Sequence, residues 1–221
     1  MNNSKLERLQ IHSDAAIYDE DGKPIMMKDS IKYLGAMLHK TGRVDSEIGS
    51  KIGYTNQEFR TIMQIWNHTN IRKQRKLQLY QALILSKLLY GLQTIWLSKR
   101  LRQKINAFHC ASVRKIIGIP HSYVSRVTNA EVLRLANMIS LDRMLLRQQL
   151  VYYGRLYRNP KYPERQIMDT PVVNKRRGRP HLSWVEEIRK HVQRIGNEAE
   201  IIKNVKQWRK VVFEYCTTSV L

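Results

Sequence analysis

The sequence lacks the features of secreted and membrane proteins. Cysteine occurs only at Cys110 and Cys216, far apart, which excludes a disulfide scaffold and fits a reducing compartment. The N-terminal stretch is polar, so it does not form a secretory signal peptide. The most apolar stretch, residues 77–97, is interrupted by glutamines and by Lys87, which excludes a transmembrane segment. We therefore predict an intracellular protein, nuclear or cytoplasmic, that does not bind membranes.

Catalytic and metal-binding motifs are missing as well. Phosphoryl transfer on nucleic acid uses paired carboxylates that hold two metal ions, and no two aspartates are adjacent in this sequence. The acidic residues 19–21 fall in a predicted turn. The histidines show no zinc-like spacing to the cysteines, and Gly49 and Gly53 lack the pattern of a phosphate-binding loop. We predict no catalytic residue, no metal site and no cofactor in this chain.

Acidic residues are absent from the whole stretch between residues 59 and 130. This stretch carries 13 lysines and arginines, whereas residues 1–58 carry 8 cations against 9 anions and residues 131–221 carry 18 against 9. Charge of this kind attracts any polyanion, including an acidic membrane surface or an acidic protein. Because each neutralised phosphate releases counterions, an uncompensated cationic exterior around a helical core favours nucleic acid as the partner.

Hydrophobic periodicity predicts a mainly α protein. Short apolar runs around the Asp21-Gly22 turn are typical of a β-hairpin. From Asp45 onward, apolar residues recur every three or four positions, as in helices. The predicted fold is a small N-terminal antiparallel β hairpin or sheet remnant, followed by a helical bundle and further C-terminal helices. The predicted helices cover about residues 45–66, 77–97, 98–118, 140–158, 183–196 and 197–215, and another begins at residue 128.

The early strands have no partner segment before them, so an edge of the predicted sheet is left unpaired. Such an edge is typical of a fragment of a longer protein.

Cations at the ends of the predicted helices are the candidate phosphate contacts. They flank the apolar core, and most of them belong to the acid-free stretch. The candidate nucleic-acid-binding residues are Arg72, Lys73, Arg75, Lys76, Lys99, Arg100, Arg102, Lys104, Arg114, Lys115, Lys175, Arg176, Arg177 and Arg179.

The last four candidates belong to a short basic segment, residues 175–180, inside a proline-containing linker. This segment is typical of a nuclear localisation patch or of an arm that lies along nucleic acid. Its Arg-Gly-Arg-Pro core also resembles an AT-hook, which inserts arginines into an A·T-rich minor groove. The structural alternative is a flexible, solvated linker.

Five segments of the chain, taken in order, form a family pattern. They are Asn3-Ser4-Lys5-Leu6-Glu7; Tyr33-Leu34-Gly35 with Gly42 and Glu47-Ile48; Leu88-Leu89-Tyr90-Gly91 with Thr94 and Trp96; Phe108-His109 with Arg114 to Ile119; and Gly178-Arg179-Pro180 with Trp184. In order and spacing they resemble the C-terminal part of reverse transcriptases of non-LTR, LINE-like retrotransposons. Leu6 stands where that family usually has a threonine.

The resemblance implies a function that periodicity does not show. Residues 1–42 would be the end of the palm, with Tyr33, Leu34 and Gly35 in the primer-grip neighbourhood. Residues 43–120 would be a thumb-like helical bundle that clamps the template–primer duplex. The rest would be a C-terminal extension: a helical connection at 121–160, a basic linker at 161–182 and a helical segment at 183–221.

The resemblance also implies what this chain cannot do alone. The fingers and the Asp-Asp metal motif of the RNA-directed DNA polymerase are missing, so Mg²⁺ is expected only in the complete parent enzyme. The expected partners are an RNA–DNA hybrid, duplex DNA or element RNA. Two alternatives are a domesticated DNA-binding or regulatory module that uses the Arg-Gly-Arg-Pro segment, and an inert relic of a retroelement.

Overall fold

The computed structural model describes residues 6–10, 15–33, 35–169, 183–196 and 198–218, apart from the side chains of residues 167, 198, 199 and 218. These residues are mainly helical, with a two-stranded antiparallel sheet near the N-terminus, which confirms the predicted fold class. The chain forms two compact units, Met1–Gln57 and Glu58–Leu221. The division into five segments made from the sequence stays a prediction.

The sheet of the first unit is a single hairpin. Strand β1 (Ser30–Tyr33) pairs antiparallel with strand β2 (Ala36–His39). At the turn between them Gly35 has a φ of 84°, a conformation that glycine adopts without steric cost. The chain then enters helix α1 (Asp45–Asn67), close to its predicted bounds.

The predicted Asp21-Gly22 turn forms, but its arms do not extend into a ladder within the described residues. The Gly22 N–H donates to the carbonyl of Asp19 over 3.1 Å, and an isolated antiparallel bridge joins Tyr18 to Pro24. Proline has no N–H to donate, so the pairing is interrupted at this position.

The central helix of the second unit ends earlier than predicted. It consists of α2 (Lys73–Tyr80), a π-helical segment (Gln81–Leu85) and α3 (Ser86–Leu89). Gly91 then adopts a φ of 76°, which breaks the helix before a short 3₁₀ turn at Leu92–Thr94. The prediction of one helix over residues 77–97 was therefore wrong at its C-terminal end, since the apolar spacing continues through a residue whose backbone is left-handed.

Helix α4 (Lys99–Ile117) has both ends that the sequence predicts. The Ser98 hydroxyl accepts a hydrogen bond from the Leu101 N–H over 3.4 Å and caps the first turn. Gly118 follows the last turn with a φ of 79°, the conformation that favours glycine after a helix.

The C-terminal helices are α5 (Ser122–Ser125), α6 (Asn129–Leu135), α7 (Leu141–Arg158), α8 (Pro163–Asp169), α9 (Trp184–Ile195), α10 (Glu198–Lys203) and α11 (Val205–Thr218). Helices α7 to α11 share a core around Trp208, and the two short helices α5 and α6 precede them. That core contains Leu150, Tyr153, Ile188 and Val212, all buried. Within the described residues, none of the helices has the length and apolar composition needed to cross a membrane.

Candidate nucleic-acid interface

One side of α4 is buried and the other carries a strip of cations and small residues. Leu101, Ile105 and Val113 are at most 5% exposed and face the core. The opposite side, here called the α4 basic face, is exposed along the whole helix and contains no acidic residue. It consists of Arg100, Gln103, Lys104, Ala107, Ala111 and Lys115.

A buried aromatic pair fixes α4 against α2. Tyr80 and His109 are both fully buried, and their rings lie nearly parallel with centroids 5.8 Å apart. His109 Nε2 lies 3.2 Å from the carbonyl oxygen of Ile139. Because that carbonyl can only accept, Nε2 carries the proton, and Nδ1 accepts from the Tyr80 hydroxyl over 3.1 Å. Burial lowers the pKa of His109 to about 4, which keeps this tautomer neutral.

The two helices run antiparallel, which brings five of the predicted contacts to one end of the pair. The Lys73 ammonium donates to the carbonyl of Ile117 over 2.8 Å, while Tyr80 meets His109 farther back along α4. We call this group the first cluster. It consists of Arg72, Lys73, Arg75, Lys76 and Lys115.

Not every cation of the first cluster is equally available to a ligand. Lys76 donates to the carbonyl of Trp66 over 3.0 Å and is half-buried. Arg75 contacts the side chain of Gln78. Arg72 and Lys115 are exposed and have no side-chain partner within the described residues.

The second cluster lies at the beginning of α4 and consists of Lys99, Arg100, Arg102 and Lys104. Arg102 is half-buried: its guanidinium carbon lies 3.8 Å from the centroid of the Trp96 ring, and its Nε donates to the Leu97 carbonyl over 3.0 Å. Lys99, Arg100 and Lys104 are exposed. Arg102 therefore supports the cluster, while Lys99 and Lys104 offer charge to a ligand.

Lys99 of the second cluster and Lys115 of the first are about 24 Å apart along α4, at 1.5 Å per residue. That distance corresponds to about seven steps along a DNA strand. The first turn of α4 holds cations and no acid, although the positive end of a helix dipole disfavours cations. A phosphate bound there would offset this repulsion.

Arg114 is a correction to the predicted contact set. It is only 5% exposed, and its guanidinium donates to the carbonyls of Pro120 and Val127 over 3.1 and 2.6 Å and to the side-chain oxygen of Asn129. These acceptors lie in the segment that follows α4 and at the first residue of α6. Arg114 holds that segment in place, and its guanidinium has no pair of N–H groups left for a phosphate.

The remaining predicted residues are the four cations of the basic linker and the primer-grip-like group. Lys175, Arg176, Arg177 and Arg179 lie outside the described residues, as does Leu34 of the primer-grip-like group. In the first unit, Tyr33 is exposed at the end of β1 and Gly35 lies in the adjoining turn.

Sequence reasoning missed a group of amides and an arginine outside these clusters. They are Gln81, Asn137, Arg147 and Gln148, and together with Phe213 they line one groove of the second unit. No motif signals this group, because its members come from four distant segments. The exposed rings of His121 and Tyr123, 4.9 Å apart at the beginning of α5, offer a further surface on which bases could stack.

Within the ranges that the structure describes, no three histidine, cysteine or acidic side chains come together as a metal site would need. The thiols of Cys110 and Cys216 are free and buried, as packed core residues are.

The chain matches no protein-family model, no curated protein and no solved structure.

Proposed function

We propose that this chain is a nucleic-acid-binding fragment of a non-LTR retrotransposon reverse transcriptase, in which the second unit clamps a template–primer duplex in the manner of a thumb. The duplex lies along the α4 basic face, and its phosphates contact the exposed cations of both clusters. The chain provides affinity and position, and the catalytic carboxylates belong to the complete parent enzyme.

The observation that carries this proposal is the acid-free surface of α4. Its cations stand at both ends, and Ala107 and Ala111 between them leave room for a sugar–phosphate backbone to approach the helix. Phosphate neutralisation supplies most of the affinity of a protein that binds nucleic acid without reading its sequence. A helix held by buried contacts such as Tyr80–His109 keeps its cations at a fixed spacing.

Replacing Lys99, Lys104 and Lys115 together by glutamine is expected to reduce the salt dependence of duplex binding. Removing one phosphate contact lowers the slope of log K against log salt by about 0.9, so the slope falls by about 2.7 for the three lysines. The three side chains are exposed and have no partner within the described residues, so the fold is retained. Affinity for a labelled RNA–DNA hybrid, measured at several salt concentrations, gives the slope directly.

A matched control separates local contacts from total charge. Lys203, Lys206 and Lys210 are also exposed, and replacing them by glutamine changes the net charge equally. We expect the control to retain nearly all of the original slope. Equal slopes for the α4 variant and the unmodified chain would show that α4 does not contact the duplex. Nucleotide incorporation by the isolated chain would contradict the proposal that the catalytic carboxylates belong to the complete parent enzyme.

A further inference from the structure

The second unit contains a groove of about 710 Å³ on α7, distinct from the α4 basic face. Its size falls within the roughly 300–1,000 Å³ of ordinary ligand sites. Its walls come from the π-helical segment and α3, from the chain between α6 and α7, and from α7 and α11. The side chains that matter for a ligand are Gln81, Asn137, Arg147, Gln148 and Phe213.

Asn137 is held in position by its backbone alone. Its φ is 50°, and it follows α6 in a helix-ending turn in which its N–H donates to the Arg134 carbonyl over 3.0 Å. The N–H of Met138 closes the same turn on the Leu133 carbonyl over 2.9 Å. The amide side chain takes no part in this turn and lines the groove.

Gln81 and Gln148 bring two more amides to the same groove. None of the three amides has a side-chain hydrogen bond within the described residues. An amide is a side chain that both donates and accepts, and three of them offer alternating donors and acceptors to one ligand. The edge of a nucleobase has this alternation, and Asn and Gln are the residues that pair with adenine in two hydrogen bonds.

Arg147 and Phe213 supply a flat surface beside the amides. The guanidinium carbon of Arg147 lies 5.0 Å from the centroid of the Phe213 ring, and the phenyl side chain is half exposed. Unpaired bases stack on aromatic rings and on arginine planes. The Arg134 guanidinium at the rim is already paired with Glu131, at 2.7 Å, so Arg147 is the groove arginine available to a base.

We infer that this groove binds an unpaired nucleobase of a single-stranded nucleic acid. Arg147 and Phe213 stack against the base, and the amides of Gln81, Asn137 and Gln148 pair with its edge. The inference rests on the proposed function in one respect, that the chain binds nucleic acid. It adds a second site, a different set of side chains and a different form of ligand, a single strand in place of a duplex.

The test uses two variants that keep the fold. In Asn137→Gly the left-handed backbone is retained, because glycine favours it, and only the amide is removed. Phe213→Leu removes the half-exposed aromatic ring and keeps an apolar side chain at the same position of α11. Gln193→Ala, which removes an exposed amide of α9 outside the groove, is the control.

The probe is a short single-stranded oligonucleotide carrying 2-aminopurine, whose fluorescence reports stacking. We expect each groove variant to weaken its binding about tenfold, with duplex binding and the control unchanged. Competition by adenosine monophosphate as well as by an oligonucleotide would mean that a single nucleotide is enough for recognition. Competition by the oligonucleotide alone would mean that the strand is needed. Either result supports the groove as a base site.

Unchanged single-strand binding in both groove variants would overturn the inference, as would an equal loss for single strand and duplex. The outcome is separable from that of the proposed function. The triple lysine variant could leave the salt slope of duplex binding unchanged while Asn137→Gly still weakens binding of the single-stranded oligonucleotide. That result would contradict the proposed duplex clamp and support the groove as a base site.

Discussion

Replacing Gly154 by alanine is expected to lower the free energy of unfolding by about 3 kcal/mol, the upper part of the range for overpacking a core. A Cβ atom at this position would lie 2.5 Å from Cδ1 of Trp208 and closer still to its Nε1. Trp208 has no room to retreat, because it is 1% exposed and its Nε1 donates to the Leu150 carbonyl over 3.0 Å. Urea denaturation followed by circular dichroism measures the loss.

The same substitution at Gly53 is the matched control. Gly53 lies within α1, and an added Cβ would have no neighbour within 4 Å. There the helix propensity of alanine acts alone, so Gly53→Ala is expected to stabilise the protein by about 1 kcal/mol. Opposite signs at two helical glycines would identify contact with the indole, and not backbone preference, as the cause at Gly154.

A second substitution tests that contact directly. Trp208→Leu removes the indole, whose Cδ1 and Nε1 are the atoms nearest to Gly154, so the double variant with Gly154→Ala is expected to lose less stability than the two single losses added together. Strict additivity, or a Gly154→Ala protein as stable as the unmodified chain, would show that the indole does not occupy this position.

Acidification from pH 6.5 to about 4 is expected to remove about 3 kcal/mol of stability through His109. Burial is the main reason that the folded-state pKa of His109 is lowered to about 4 from the ordinary 6.5. Between these values the unfolded chain binds a proton that the folded chain excludes, so stability falls as the pH falls. Below about pH 4 both states are protonated and this contribution stops growing.

His109→Gln isolates this histidine from the other titrating groups. A glutamine amide retains a donor for the Ile139 carbonyl and an acceptor for the Tyr80 hydroxyl, but it does not titrate. The variant is expected to be less stable at neutral pH and to have a flatter profile between pH 6.5 and 4. The measurement is the free energy of unfolding at several pH values. His191, whose pKa burial also lowers, remains in both proteins. A profile unchanged by the substitution would show that His109 does not cause the pH dependence.

Much of the helical layout could be predicted from the sequence, because the signals were local. The cap at Ser98, the turn at Gly118 and the capping hydroxyl of Thr128 each act within a few residues. The end of the central helix could not be predicted in this way. The π-helical segment adds a residue to one turn, and the backbone of Gly91 is left-handed although the apolar spacing runs past it.

The candidate interface shows where a count of charges stops being informative. The count identified α4 and its neighbours as cationic, but it could not tell Lys115 from Arg114 beside it. Lys115 faces solvent, whereas Arg114 turns inward to a segment whose acceptors lie 6 to 15 residues farther along the chain. The groove around Asn137 was missed for the same reason, since it exists only once distant segments have packed.

If the α4 basic face binds phosphates as proposed, ionic strength has opposite effects on the stability of the free chain and on its affinity for the ligand. The like charges of the face repel one another, and dissolved salt screens that repulsion, so the free chain is more stable in concentrated salt. The same salt would weaken the proposed binding to phosphates. A bound polyanion would neutralise the face as salt does. Because it binds the folded state, it would also stabilise that state by mass action. The charge repulsion along α4 is therefore greatest in dilute buffer without a bound polyanion.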